Sequence, residues 1–456
     1  MGKQTVALAL SVMITSGVAG MGLWYFWRAK PTDNLGVGQG VAQSVGQVVL
    51  ITPLDATAKV LKQKGTEAIQ RREYGEAIWQ FQAALKVKAN DPETRIYLTN
   101  AQILARSKPL ATVGVSIPIS GNLNVAQEIL RGVAQAQLEY VGKGVPILVA
   151  VADDGNQIDR ARAIAQQFGQ NPQVMAVVGH NTSDVTLAAA PIYQQSGLTM
   201  ISPTATANAL SGFGSFIFRT APSVKVQANS LARFGLRSNR QKFGICFSSQ
   251  SASTRSLRDE FQASVFAEGG KVSNVMCDLA DPAFEANGLV RAFSQDQVEG
   301  ILLAPGFETI DRAVAIAQAA GGRFLLVTDT TLYTFRTLEG GASLRGLVLA
   351  VPWHPGANLP GSFGERAKRL WGGNVNWRSA SAYDAFSAIA QGLKESNFSS
   401  RAALQQVIIQ PQFRAPASQD QVSFQPSGDR VASVTLIQVQ PGTKSGTGYD
   451  FVKLDF

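Results

Sequence analysis

Val174–Thr206 reads VMAVVGHNTSDVTLAAAPIYQQSGLTMISPTAT. The run Val174–Val178 is short, apolar and rich in β-branched residues, which predicts a buried strand. It ends in the polar turn Gly179-His180-Asn181-Thr182-Ser183. Val185–Tyr193 then reads as helix, which Pro191 is expected to kink or end. A second strand, Leu198–Ile201, breaks at Ser202-Pro203 into Thr204-Ala205-Thr206. In a parallel α/β sheet both polar turns fall at the carboxyl ends of strands, where such sheets bind ligands. The first turn also opens a helix, whose free N–H groups and dipole favour an anion. Two hydroxyl-rich turns side by side suit the carboxylate of a small ligand. Each turn taken singly also suits an ordinary cap or loop, because Ser, Asp and Thr are preferred there for local reasons.

Outward from this unit the same alternation repeats. ATVGVSIPI from Ala111, ILVAVAD from Ile147, VMAVVGH and LTMIS are strand-like. Between them lie the helical stretches Ala126–Tyr140, Ile158–Phe168 and Val185–Gln195. After Phe216–Thr220 a second series begins. FGICF, KVSNVMC, GILLAP and RFLLVTD alternate with Ser256–Phe266, Phe284–Phe293 and Ile310–Ala319. Two such series predict two α/β lobes, each with a parallel sheet covered on both faces. The tail after Phe413 has β character: VSF, the turn QPSGDR, VTLIQVQ and FVKL.

The chain before Ala111 differs. Thr5–Trp27 is an uncharged apolar run, long enough to cross a bilayer, followed by Arg28 and Lys30. It is expected to be an uncleaved anchor with the bulk of the chain outside the cytoplasm; the rival is a cleaved signal peptide with a poor site at Val18-Ala19-Gly20. Pro31–Thr52, rich in Gly, Gln and Val, reads as a linker. In Leu54–Ser107 the apolar residues recur at helical spacing. Gly65, Ala68, Tyr74, Ala77, Phe81 and Ala84 fall where a tetratricopeptide repeat puts its small and aromatic packing residues. One repeat cannot bury its own face, so a neighbouring domain or a partner is expected to cover it.

The 456 residues imply two or three domains, and 45% hydrophobic with 16% charged residues describes a globular chain. Of the net charge of +9, six come from before residue 110, where thirteen Lys/Arg meet seven Asp/Glu. No aromatic-interleaved basic stripe points to nucleic acid. Cys246 and Cys277 stand in candidate strands without a CxxC or Cys/His cluster, and only two histidines are present, so no metal and no cofactor are expected. Buried thiols are the default for the cysteines, with a disulfide between neighbouring strands as the alternative. No GxSxG, HExxH or phosphate-loop motif occurs, and His180, Ser183 and Asp184 within one turn do not resemble a triad assembled from distant segments, so no enzyme is expected.

From about Thr112 onward the sequence resembles the leucine/isoleucine/valine-binding family of type I periplasmic binding proteins. IPISG (Ile117–Gly121), ADDGNQIDRARAIAQQ (Ala152–Gln167), VVGHNTSD (Val177–Asp184), MISPTAT (Met200–Thr206), FRTAPSVKVQ (Phe218–Gln227), AYDAF (Ala382–Phe386) and FQPSGDR (Phe424–Arg430) carry the resemblance, in the family's order and spacing. It implies a two-lobed α/β fold, two doubly wound parallel sheets joined by a hinge, here preceded by a transmembrane helix and a short all-α tetratricopeptide-like module. The organisation expected is anchor 1–30, linker 31–53, helices 54–108 and binding domain 109–456. Lobe 1 takes about 109–221 and 353–415, lobe 2 about 222–352 and 416–456.

The resemblance assigns Ser183 to the ligand's α-carboxylate. Thr204 acts through its main chain and Thr206 through its hydroxyl, and Asp329, at the end of RFLLVTD, pairs with the α-ammonium. Ser120, in the matched IPISG turn, is also expected among the ligand-binding residues. Ala252 replaces a family tyrosine of the side-chain pocket, and Phe307 keeps an aromatic wall, so leucine is not carried over as ligand. The implied function is an extracytoplasmic solute-binding protein that captures an amino acid or similar zwitterion for the permease of an ABC transporter. The alternative, from the same fold behind helical repeats, is a membrane-tethered regulator or scaffold resembling activators of cell-wall synthases.

Overall fold

The computed structural model describes residues 43–106, 109–357 and 361–455. The expected anchor Thr5–Trp27 and most of the expected linker lie outside the described residues. No helix among the described residues is long and apolar enough to cross a membrane.

The last part of the expected linker is built into the fold. Gln43–Ser44 form β1, and Val45 and Ile51 are buried. Three helices follow: α1 (Ala56–Gln70), α2 (Tyr74–Val87) and α3 (Pro92–Arg106). Asp55 caps α1 by accepting the Ala58 N–H at 2.8 Å. Ala68, Ala77, Phe81 and Ala84 are buried, and a Cβ on Gly65 would stand 2.4 Å from the Phe81 ring, so α1 and α2 approach as closely as a glycine permits. The apolar face of this layer is continuous with the core of lobe 1, and Ile51, Phe81, Ile96 and Tyr97 belong to the same cluster as Val113 and Val149. Asn100 joins the two. Its amide donates to the carbonyls of Val45 (2.9 Å) and Val149 (2.8 Å), and it accepts from the Val149 N–H (3.1 Å) and the Gln137 amide (2.8 Å).

Lobe 1 continues with β2 (Ala111–Ile117), α4 (Leu123–Gly142), β3 (Ile147–Asp153), α5 (Ile158–Gln170), β4 (Val174–Val178), α6 (Ser183–Gln195), β5 (Thr199–Ser202) and β6 (Ile217–Arg219). Its sheet runs β1-β3-β2-β4-β5-β6, all parallel except β1. Pro191 does not end α6. It lies exposed in the penultimate turn, so the N–H it lacks is missing on the solvent side.

Lobe 2 comprises α7 (Val224–Arg237), β7 (Lys242–Phe247), α8 (Ala252–Ala267), β8 (Lys271–Val272), β9 (Cys277–Asp278), α9 (Ala286–Gln295), β10 (Gly300–Ala304), α10 (Ile310–Ala320), β11 (Leu325–Thr328), α11 (Phe335–Glu339) and β12 (Val348–Val351). The expected strand KVSNVMC is two pieces. Ser273 takes the Val275 N–H at 3.1 Å and donates to Asp296 at 2.6 Å, which interrupts the ladder. Both pieces pair with β7, and Cys246 of β7 is disulfide-bonded to Cys277 of β9. The default of buried thiols is thereby corrected: strand neighbours bring the two sulfurs together, a proximity that sequence spacing does not reveal.

The chain then returns to lobe 1 through α12 (Phe363–Trp371), α13 (Trp377–Glu395), α14 (Arg401–Ile408) and the small pair β13 (Ala415–Pro416) and β14 (Gln421–Val422). A Cβ on Gly132 of α4 would meet the Ser379 carbonyl at 2.1 Å, so a glycine is needed where α4 crosses α13. The third crossing falls near Ser433, later than the expected boundary at 415/416. Phe413, Val422 and Phe424 pack in the lobe 1 core, Asp429 pairs with Arg219 at 2.6 Å, and Arg430 pairs with the buried Asp384. The motifs AYDAF and FQPSGDR are therefore tied to each other by an ion pair beside the hinge. Only β15 (Thr435–Pro441) and β16 (Tyr449–Lys453) rejoin lobe 2, extending its sheet to β16-β15-β12-β11-β10-β7-β8.

Candidate ligand-binding cleft

Each sheet reverses its winding once, in lobe 1 between β2 and β4 and in lobe 2 between β7 and β10. At such points the loops leave on opposite faces and open a crevice at the carboxyl ends of the strands. The two crevices face each other across one cleft of about 290 Å³. Lobe 1 lines it with Asn156 after β3, Asn181–Val185 after β4, and Thr204 and Thr206 after β5. Lobe 2 contributes Ser248, Gln250, Ser251 and Ser253 after β7, Pro305–Glu308 after β10 and Asp329–Thr331 after β11. Trp377 and Arg378, from the start of α13, close one end.

The polar turns are wired before any ligand is considered. Ser183 Oγ accepts the N–H groups of Thr206 and Ala207, both at 3.1 Å. A hydroxyl has two acceptor lone pairs and one proton. Both lone pairs of Ser183 are engaged, so its proton is left to donate, and no acceptor for it is found among the described residues. Thr182 gives α6 no side-chain cap, so the N–H groups of the first turn also face the cleft unpaired. Thr204 donates its hydroxyl to the Asn181 carbonyl at 2.7 Å, so that hydroxyl is already engaged within lobe 1. The Thr206 N–H goes to Ser183 and its carbonyl accepts from Val224 at 3.0 Å. Its hydroxyl has no partner among the described residues.

Asp329 is 3% exposed. It caps the turn that follows, accepting the Thr331 N–H at 2.9 Å and the Thr331 hydroxyl at 3.2 Å. Burial pushes its carboxyl up to about 6, against the lowering effect of those bonds and of the Arg378 charge. Phe307 is half-buried on the cleft wall. Ala252 presents no side chain to the cleft. Its N–H, the first of α8, donates to Asp184 of the opposite lobe at 3.1 Å. Asn208 adds a second bond between the lobes, to Glu260 at 2.6 Å. Ser120 lies outside the cleft on an exposed turn, its N–H on Asp153 at 3.0 Å and its hydroxyl accepting from Arg160 at 2.9 Å. Ser183, Thr204, Thr206, Asp329 and Phe307 are thus brought together, Ala252 touches the site through its backbone, and Ser120 does not.

The histidine of the first turn takes no part in the cleft. His180 is fully buried between Asp154 (Nδ1 to Oδ2, 2.7 Å) and the Tyr193 hydroxyl (Nε2, 3.1 Å). Burial raises the Asp154 carboxyl, but the bond and charge of His180 outweigh it and hold the group below its ordinary range. His180, Ser183 and Asp184 therefore form no nucleophile–base relay.

Two cleft residues escaped the sequence reading. The guanidinium of Arg378, 4% exposed in the whole residue, lies over the Trp377 ring at 4.5 Å from its centroid. Burial lowers its pKa to about 10. A signal existed: an arginine in the first turn of a helix opposes the helix dipole, and Asn376 is a good cap directly before it.

Residues 111–446 match the periplasmic binding protein family. Among curated relatives, a Leu/Ile/Val-binding protein of Rhizobium johnstonii is 25% identical over 177 residues, 38% of this chain and 47% of that protein. An amino acid binding protein of Pseudomonas aeruginosa is 31% identical over 99 residues, 21% of this chain and 26% of that one. The chain thus spans about half or less of the length of the curated relatives it matches. Among solved structures, an ABC transporter substrate-binding protein of Desulfitobacterium hafniense in complex with Leu shares the fold with a TM-score of 0.64 at 22% identity, over 75% of this chain and 99% of that one. A leucine binding protein of Thermotoga maritima gives 0.65 at 18%, over 75% and 97%. A solute binding protein of Rhodopseudomonas palustris in complex with 4-hydroxybenzoate gives 0.63 at 17%, over 76% and 96%. The shared fold thus serves chemically different ligands. With its two lobes and its cleft at both switch points, this chain belongs to the periplasmic binding protein family, whose members bind solutes and are not enzymes.

Proposed function

We propose that the cleft captures an amino acid or a similar small zwitterion outside the cytoplasm and presents it to the permease of an ABC transporter. The observation that carries this reading is the Ser183 hydroxyl. With both lone pairs engaged by backbone N–H groups, it is a pure donor beside the uncapped start of α6, the local chemistry a carboxylate needs. Thr206 adds a free hydroxyl, and Asp329 supplies the opposite charge for an ammonium group. The cleft volume is near the small end of ligand sites, on the order of 300 Å³, which suits one amino acid. Phe307 forms one apolar wall, and Ala252 leaves the other open. Thr5–Trp27 is proposed as the membrane anchor, and α1–α3 as a tetratricopeptide-like layer covering lobe 1.

The test is thermal unfolding of the full-length chain, purified in detergent, against the twenty amino acids. A ligand at ~100 times its dissociation constant adds roughly 2.7 kcal/mol, a rise of a few degrees in Tm. Thr206→Val removes a hydroxyl with no internal partner, so the variant is expected to fold as well as the wild type and to show a smaller shift. If no amino acid raises Tm at millimolar concentration, the cleft does not serve zwitterions, and the regulator or scaffold reading replaces this one.

A further inference from the structure

We infer that the ligand carries a second anionic group, held by Arg378, and so belongs to the acidic amino acids; this rests on the amino-acid reading above. Arg378 is the single cation lining the cleft among the described residues. Its side chain makes no hydrogen bond or ion pair with them, and its Nε is buried without a hydrogen-bond partner among them. A guanidinium carries five donors in a rigid fork. A buried Nε–H left unmet is costly, and the other guanidinium donors, held by no acceptor among the described residues, open on the cleft; a fold accepts that cost where a ligand supplies the acceptors.

The surrounding carboxylates do not supply them. Glu128 spends its oxygens on Arg131, on the Asn376 N–H at 3.1 Å and on the Ser379 hydroxyl at 2.6 Å. Asp184 accepts the Ala252 N–H, Asp329 accepts from Thr331, and Glu308 is exposed at the rim. The Trp377 ring beneath the guanidinium holds its plane in place.

Position separates this group from the Ser183 turn. Arg378 also borders an adjoining recess of about 570 Å³, shared with Phe307, Tyr333 and Asn376 but with none of Ser183, Thr204, Thr206 or Asp329. The cleft therefore has an anion-receptive turn at Ser183, an anion-receptive guanidinium toward the recess, and a buried carboxylate, Asp329. A ligand that satisfies all three has two anionic groups and one ammonium. That is the charge pattern of glutamate or aspartate.

The test is titration calorimetry of the full-length chain at pH 7.5 with glutamate, aspartate, their neutral amides glutamine and asparagine, and leucine, on wild type and Arg378→Met. Methionine keeps volume and removes a charge that has no internal partner, so the variant is expected to fold; circular dichroism and Tm check this. Support is at least tenfold tighter binding of an acidic amino acid than of its amide by the wild type, with the preference lost in Arg378→Met. If leucine or an amide binds as tightly as the acids, and Arg378→Met leaves that affinity unchanged, the inference falls while the amino-acid reading stands. If no amino acid binds the wild type, both fall.

Discussion

Replacing Asp329 with asparagine should make the empty protein more stable and the site useless. Burial raises the carboxyl from its ordinary 3.8 to about 6. That rise corresponds to about 3 kcal/mol against the charged form. The folded state holds this proton more tightly than the unfolded chain, so the group's contribution is most favourable below about pH 4. It is lost as pH climbs through 6, and above that the ionised carboxylate costs the full amount. Asparagine has the same shape, and its Oδ1 can still accept the Thr331 N–H that Asp329 accepts at 2.9 Å. Asp329→Asn is therefore expected to raise unfolding free energy by roughly 2–3 kcal/mol at pH 7.5 and by almost nothing at pH 4. Urea unfolding at both pH values measures this. In the same samples the amino-acid-induced rise in Tm should disappear, because the ammonium loses its counter-charge. With wild type at pH 5.5, binding an ammonium beside Asp329 should release a proton, visible as a buffer-dependent heat. A variant no more stable at pH 7.5 than wild type, or one stabilised by ligand as strongly as wild type, would refute the reasoning.

Asn100→Ala tests whether α1–α3 belong to lobe 1. It leaves the Val149 N–H and carbonyl and the Val45 carbonyl without Asn100, takes one of two acceptors from the Gln137 amide, and should cost roughly 3–5 kcal/mol with unfolding still in one transition for lobe and helices; a separate early melting of the helices would contradict this. Cys246→Ala with Cys277→Ala opens a closed loop of 31 residues and should lower stability by about 3–4 kcal/mol in the chain-entropy account. The same loss should follow when the wild type is reduced, and an unchanged urea midpoint after reduction would count against it.

Elements held by local patterning were legible in the sequence, and those held by tertiary contact were not. Val174–Val178, Ile147–Asp153 and Gly300–Ala304 are buried on both sides, so they announce themselves as continuous apolar runs. That Ser183, Thr204, Thr206 and Asp329 line one cleft was legible because the strand ends of parallel sheets open on crevices and because the motifs around them resemble a family's in spacing. The two residues of β1 have no periodicity to read; their place is set by the edge of β3 and by Asn100. The third crossing lies later than expected because residues 416–431 look like any β-rich tail; what holds them to lobe 1 is tertiary, the packing of Val422 and Phe424 in its core and the pairing of Asp429 and Arg430 with Arg219 and Asp384. Arg378 sits in a helix start that reads as ordinary amphipathic sequence. Its position against the helix dipole behind the Asn376 cap is visible in the sequence, but its lack of a hydrogen-bond acceptor among the described residues is not, because no pattern of residue types displays it.

The fusion of α1–α3 to lobe 1 makes the two lobes mechanically unequal. Lobe 1 carries the extra helical layer and receives the chain at β1, while lobe 2 is joined covalently through three crossings alone. Anything that grips the protein ahead of Gln43 or by its helices grips the stator. In the proposed capture lobe 2 is then the rotor, swinging about the crossings against the Asp184–Ala252 and Asn208–Glu260 bonds. A partner resting on the helices alone is blind to whether the cleft is filled. One that straddles the two lobes is read a signal each time the rotor moves.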